Sequence, residues 1–305
     1  MMGANRLVDT LRRLAWTNPT TLRLATGAAD AAYLARRLLG RRRQAPAIAA
    51  QAGSADLAPY HAYQQQCAAT AGWFSEGAIV TWDALLAFQS ERAQHGDLLE
   101  IGVLKGKSAA MLAVHAAPEE AVVLIDPALR QEAIDLVASA HPGHNLLLRS
   151  RSQDVVGLEE LAARRGRCRW LHIDGEHSGR AVRNDLAIAA DLVAPDGIIC
   201  LDDFFAPAYP QITEAAFGFL DHRKAEFQLF LAGFRKAYVC ARAAAPAYLQ
   251  FVRDQLPNEY RRRGFTDFTL CKTTDPADMN CFGVIERRRD SDFKGPDMDP
   301  GRIEI

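Results

Sequence analysis

A chain of 305 residues with 49% hydrophobic content and a net charge of −1 can bury a full α/β domain with accessory segments, and its charge predicts no general affinity for nucleic acid. Six cysteines without a Cys-x-x-Cys pair exclude a disulfide scaffold and a zinc knuckle and point to a reducing, cytoplasmic setting. No run of about 18 apolar residues occurs, so no membrane span is expected.

Charge is unevenly placed. Residues 1–45 hold nine arginines against Asp9 and Asp30, a net +7 that leaves −8 for the remainder. Arg6, Arg12 and Arg13 interrupt any apolar core, so nothing there reads as a secretory signal. Leu7, Leu11 and Leu14, then Tyr33, Leu34 and Leu38 after a break at Asn18-Pro19, predict a basic helical arm, and residues 44–54 read as a linker. A second helical zone, residues 55–95, is broken near Gly72 and Gly77 and is expected to form a lid or substrate segment.

From Gly96 strands and helices alternate. LLEIG, VVLID, NLLLRS, WLHID and GIICLDD are short apolar strands separated by helical stretches, which calls for a doubly wound parallel sheet with helices on both faces. A helix around Ile212–His222 follows, then two β-rich arms flanking Gly233 like an antiparallel hairpin. The core domain is expected over residues 96–245. Residues 246–305 read as an accessory tail, polar and proline-marked at its end.

Function in such a sheet sits at the carboxyl ends of the strands. The first of these, LEIGVLKGKS, turns on Gly102 and Gly106 and opens a helix. Glycines let the backbone approach a ligand closely, and the helix amides beyond Gly106 favour an anionic group. Twenty residues after Gly106 the second strand stops at Asp126, the usual place of a ribose-binding carboxylate. The GKS sequence invites comparison with a phosphate-binding loop, but only three residues separate the glycines where that loop has four.

With these elements in order the chain resembles class I S-adenosylmethionine-dependent methyltransferases, and within them the metal-dependent O-methyltransferases of catechol type and of macrolide and aminocoumarin sugar type. The resemblance covers residues 96–240. It implies a seven-stranded, mostly parallel Rossmann-like sheet with an antiparallel last strand. It implies Glu100, Gly102 and Gly106 around the methionine moiety, Ser108 on its carboxylate, Asp126 on the ribose, and Ser152 and Gln153 at the adenine. IDGEH and LDDF match the metal-site motifs, implying Asp174, Asp202 and Asp203 as ligands of a divalent cation, expected to be Mg2+. Hard oxygen ligands suit such an ion, which would lower the pKa of an acceptor hydroxyl and orient it.

A general base is also needed. His177 stands where catechol-type enzymes carry lysine, and Glu176 stands where the sugar-type enzymes carry an acidic residue; His177 is preferred, with Glu176 as the second candidate. Asp203 replaces the catechol-type asparagine. His172 reads as a core or supporting histidine, Trp73 and Phe74 as lid or core residues, and Phe204 and Phe205 as candidates to line the acceptor pocket.

The reading is thus a cytoplasmic O-methyltransferase using S-adenosylmethionine and a divalent cation on a small-molecule hydroxyl, a sugar or secondary metabolite. A homo-oligomer through the N-terminal arm or the C-terminal segment stays open. A non-catalytic S-adenosylmethionine-binding protein and, further off, a nucleotide hydrolase are the alternatives.

Overall fold

Apolar residues that alternate along each strand sort onto two faces of one sheet, and that sorting organises the structure. The computed structural model describes residues 56–273, 281–286 and 302–304; the expected N-terminal arm and linker lie outside them. Two helices come first, α1 (Ala58–Gln66) and α2 (Glu76–Glu91). Ser75 caps α2, its Oγ accepting from the Ala78 amide at 3.3 Å. Every residue from Gly77 to Gln89 is buried, so α2 is a core helix. The part of the expected lid segment that reaches the cleft is the loop Ala71–Phe74.

The expected alternation follows: β1 (Asp97–Ile101), α3 (Lys107–His115), β2 (Ala121–Ile125), α4 (Gln131–Ala140), β3 (His144–Leu148), a short α5 (Glu159–Ala162), β4 (Cys168–Ile173), α6 (Gly179–Leu192) and β5 (Val193–Leu201). Then come α7 (Pro210–His222) and the hairpin β6 (Phe227–Gly233) and β7 (Lys236–Ala241). The strand order through this region is 6-7-5-4-1-2-3. Strands β1 to β5 are parallel, and β7 lies antiparallel between β5 and β6. This is the α/β Rossmann-like arrangement expected from the sequence.

Side chains of Leu98, Trp170, Ile198, Cys200 and Tyr238 face α2 and α1, whereas Leu99, Leu171, Ile199 and Val239 face α6 and α7. The period of two along each strand is what separates the two layers.

The C-terminal segment departs from the tail that was expected. It forms α8 (Ala245–Asp254), α9 (Leu256–Arg262), β8 (Phe268–Thr273) and β9 (Phe282–Glu286), with β10 (Arg302–Glu304) beside β8. β9 pairs in parallel with β6, which extends the sheet to ten strands. Burial explains the difference. Phe265, Phe268, Leu270, Phe282 and Val284 join the same core as α2, and leaving them in water would forfeit about 1.5–3 kcal/mol for each large side chain.

A buried polar network ties the two ends of this layer together. Asp83 Oδ1 lies 2.6 Å from His115 Nε2, and Asp83 Oδ2 accepts from Arg263 Nε at 2.6 Å. Arg263 Nη1 donates to Glu259 Oε2 at 2.6 Å. Burial opposes ionisation of Asp83, but His115 and Arg263 outweigh it and hold the carboxyl below its ordinary value.

All six cysteines are free thiols. Among the described residues no helix is long and apolar enough to cross a membrane.

Candidate functional site

Register places the site. Ile101 pairs with Ile125 on one side and Ile173 on the other, and Ile173 pairs with Leu201. The next residue on each strand is therefore at one level, and these four are Gly102, Asp126, Asp174 and Asp202. Backbone bonds lock the row: the amide of Gly102 donates to Ile125 O, that of Asp174 to Ile101 O and that of Asp202 to Ile173 O.

Gly102 has φ +83°, and a Cβ built on it would lie 1.9 Å from the Asp174 carbonyl oxygen. Only glycine lets β1 and β4 close this tightly at their tips. Gly102→Ala is expected to lower stability by about 2–3 kcal/mol, measured by urea unfolding, through the clash and the positive φ together. Gly106, also left-handed at φ +80°, begins α3 against Ala133.

A cleft of about 490 Å³ opens over these tips. Gly102, Ser108, Asp126, Ser152 and Gln153 line it together with Asp174, Glu176 and His177, so these five of the expected donor-binding residues and part of the expected metal and base set share one space, whereas Glu100 and Gly106 are not part of its lining. Asp126 does more than line it. Its Oδ2 accepts from the amides of Val103 at 2.8 Å and Leu104 at 3.3 Å, and its Oδ1 from Ala128 at 2.7 Å, so the carboxylate pins the glycine turn. Trp73 also lines the cleft with its side chain 92% exposed, while its neighbour Phe74 is a core anchor packed on Trp82.

Glu100 lies beneath the cleft, fully buried. Its Oε1 accepts from Ser108 Oγ at 2.5 Å and lies 2.6 Å from His172 Nδ1, while Oε2 has no partner. Burial pushes the Glu100 carboxyl up, and His172 and Ser108 offset only part of that. His172 is the supporting histidine the sequence suggested, with Nε2 3.5 Å from Asp202 Oδ2. Burial works against its charge, but the Asp202 and Glu100 carboxylates push the ring up to about 9.

The three aspartates are not equivalent. Donor atoms that could close on one cation fall into two sets, His172, Asp174 and Asp202, and Asp174, His177 and Asp203. Asp174 belongs to both, whereas Asp202 and Asp203 divide between them. His177 Nε2 lies 3.5 Å from Asp174 Oδ1 and 3.7 Å from Asp203 Oδ2, and its ring packs on Tyr209 at 4.3 Å. Contact with Asp174 raises the His177 pKa. Burial and the neighbouring charge of Asp202 raise that of Asp203. Glu176 sits exposed at the cleft edge, where a side pocket holds Arg151 and Arg180.

Two cations missed by the sequence reading stand at this rim. Lys236, only 2% exposed, donates from Nζ to Asp202 Oδ2 at 2.5 Å, and Arg235 Nη1 lies 4.0 Å from Asp203 Oδ1. The available signal was a lysine heading the apolar run AYVCA; which acid it meets depends on the hairpin register. Lys236 and His172 hold the Asp202 carboxyl well below the usual range despite its burial. Phe204 is buried, and Phe205 is 62% exposed and lies outside the cleft lining.

No curated protein matches the chain. Among solved structures it is similar to CalS11, a TDP-rhamnose 3′-O-methyltransferase of calicheamicin biosynthesis, at 16% identity and TM-score 0.44, over 55% of this chain and 81% of that one. It is also similar to MycE from the mycinamycin pathway, in complex with Mg and SAH, at 19% identity and TM-score 0.39, over 50% of this chain and 47% of that one. A third is the O-methyltransferase TomG of Streptomyces achromogenes, in complex with SAM, at 15% identity and TM-score 0.36, over 51% and 76%. The family described as "Methyltransferase domain" matches residues 99–204, the stretch from β1 to the turn after β5 that carries both the glycine turn and the acids. Residues 99–204 of this chain form a methyltransferase domain.

Proposed function

We propose that this methyltransferase takes its methyl group from S-adenosylmethionine and places it on a hydroxyl oxygen of a small molecule, a sugar or other secondary metabolite, with the help of a divalent cation. The observation that carries the reading is one continuous cleft in which Gly102, Asp126 and Gln153 meet Asp174 and His177. A pure donor-binding module would not need the second group of residues.

The donor side fits its ligand. Gly102 admits close backbone approach, Asp126 stands where ribose hydroxyls are held, and Ser152 and Gln153 follow β3 where an adenine edge would lie. When bound, S-adenosylmethionine supplies an electrophilic methyl group that must be met in line by the acceptor oxygen. Glu100 fixes Ser108 from below at the start of α3 and so shapes the floor of the turn.

The rim fits a hard cation through Asp174 and Asp203. Magnesium is commonly held by one or two carboxylates, completing its shell with water and substrate oxygens. There it would polarise the acceptor hydroxyl. His177 Nε2 flanks both carboxylates and is positioned to take the hydroxyl proton, whereas Glu176 lies at the edge of the cleft. Cleft walls orient the acceptor and exclude water, which matters because alignment is much of what a methyl transfer requires.

Calorimetry with S-adenosylhomocysteine, with and without Mg2+, tests the reading; absence of saturable binding would end it. Asp126→Ala is expected to weaken S-adenosylhomocysteine about 10- to 100-fold, the worth of hydrogen bonds to a charged group. Unaltered affinity in that variant would remove Asp126 from the donor site.

A further inference from the structure

The two consecutive acids after β5 do different work, and the β6–β7 hairpin decides which does what. Asp202 has both oxygens engaged. Its Oδ1 accepts from the Asp203 amide at 2.7 Å, and its Oδ2 accepts from Lys236 Nζ at 2.5 Å. The ammonium is enclosed, 5.4 Å from the Phe74 ring centre and 5.6 Å from that of Trp82. Antiparallel register makes the pairing unavoidable: Leu201 faces Ala237, so the next residue of β5 meets the preceding residue of β7.

Asp203 is placed by this arrangement. Its amide is fixed on Asp202, its φ is +52°, and its carboxylate turns toward His177. The amide of Phe204 donates to Arg235 O at 2.9 Å, which binds the turn to the hairpin from the other side.

We infer that Lys236 is a positioning residue that neutralises and locks Asp202, withdraws it from the cation-ligand set, and leaves a divalent cation at this rim to Asp174 and Asp203. The inference rests on the metal-assisted reading above. A metal on Asp202 would share a carboxylate with an ammonium buried at the same place, and two cations so close in a dry environment repel. Lys236 heads a buried strand and is itself only 2% exposed. One or two carboxylates with water suffice for a magnesium-like ion, so nothing is missing from the site without Asp202.

Mn2+ is the probe, its free fraction read by paramagnetic resonance, with S-adenosylhomocysteine affinity measured alongside to report an intact fold. Asp174→Asn and Asp203→Asn are each expected to weaken Mn2+ at least about a hundredfold, and Asp202→Asn less than about tenfold, because the amide oxygen can still hold the Asp203 turn. Lys236→Met frees the Asp202 carboxylate and is expected to tighten Mn2+ about tenfold; Lys236→Arg restores the original affinity. Loss in Asp202→Asn equal to that in Asp174→Asn overturns the inference, as does unchanged or weaker binding in a folded Lys236→Met. If the Lys236 variants do not fold, the aspartate series decides alone. A wild-type protein that binds S-adenosylhomocysteine but no Mn2+ overturns the metal-assisted reading and this partition with it, and is distinguished by appearing before any variant is made.

Discussion

Asp202→Ala is expected to lower unfolding free energy by about 3–5 kcal/mol, a loss set by the partner left behind. Lys236 is 2% exposed and would become a buried, uncompensated ammonium, with the His172 ring close to the vacated carboxylate position. Burial alone depresses a lysine's affinity for its proton, and Asp202 is the main group that opposes this here. In the Asp202→Ala/Lys236→Met double variant both charges are gone, and most of the stability should return. Urea unfolding of the two single variants and the double variant measures the coupling. Additive losses would show that the pair contributes nothing beyond two separate side chains.

The second large effect lies away from the cleft, in the network that fastens the C-terminal segment to α2. Arg263→Met is expected to cost about 3–5 kcal/mol, because Asp83 is then buried against His115 alone. A pH dependence accompanies it. Asp83 has a folded-state pKa below its ordinary value, so its contribution is present above that ordinary value and is lost as pH falls through the folded one. Wild-type stability should therefore decline below about pH 4, and Asp83→Asn should flatten that decline. In Arg263→Met the folded-state value of Asp83 lies nearer its ordinary one, so less stability is left to lose on acidification and the acid limb attributable to Asp83 should be shallower. Identical acid limbs in the wild type and Asp83→Asn would show that other carboxylates dominate.

Much of the fold and site is local, and local features are legible in the chain. Strand lengths, the alternation with helices and the acid or glycine ending each strand follow from short-range pattern. The structure sets Gly102, Asp126, Asp174 and Asp202 in one row because neighbouring parallel strands end in register. The resemblance carried by LEIGVLKGKS, IDGEH and LDDF was specific enough to mark the methyltransferase domain found over residues 99–204. His172 could be recognised as a supporting residue by its place two before Asp174, and it bridges Glu100 and the Asp202 side.

Other features depend on contacts between residues far apart. Residues 246–305 look like a tail because Phe265, Phe268, Phe282 and Val284 are scattered among polar residues. Their burial exists only once α2 and β6 are in place. Arg263 resembles any basic residue in YRRRG until Asp83, 180 positions earlier, receives it. Asp202 and Asp203 read as equivalent acids in LDDF.

The sequence by itself determined a doubly wound α/β fold with glycine and acids at its strand tips and, over residues 99–204, a match to a methyltransferase domain, since hydrophobic period and turn chemistry act over a few residues. Tertiary structure decided which charges meet. A carboxylate's role is set by the nearest buried cation, and for Asp202 that cation is Lys236, brought over 34 positions by the pairing of β5 with β7.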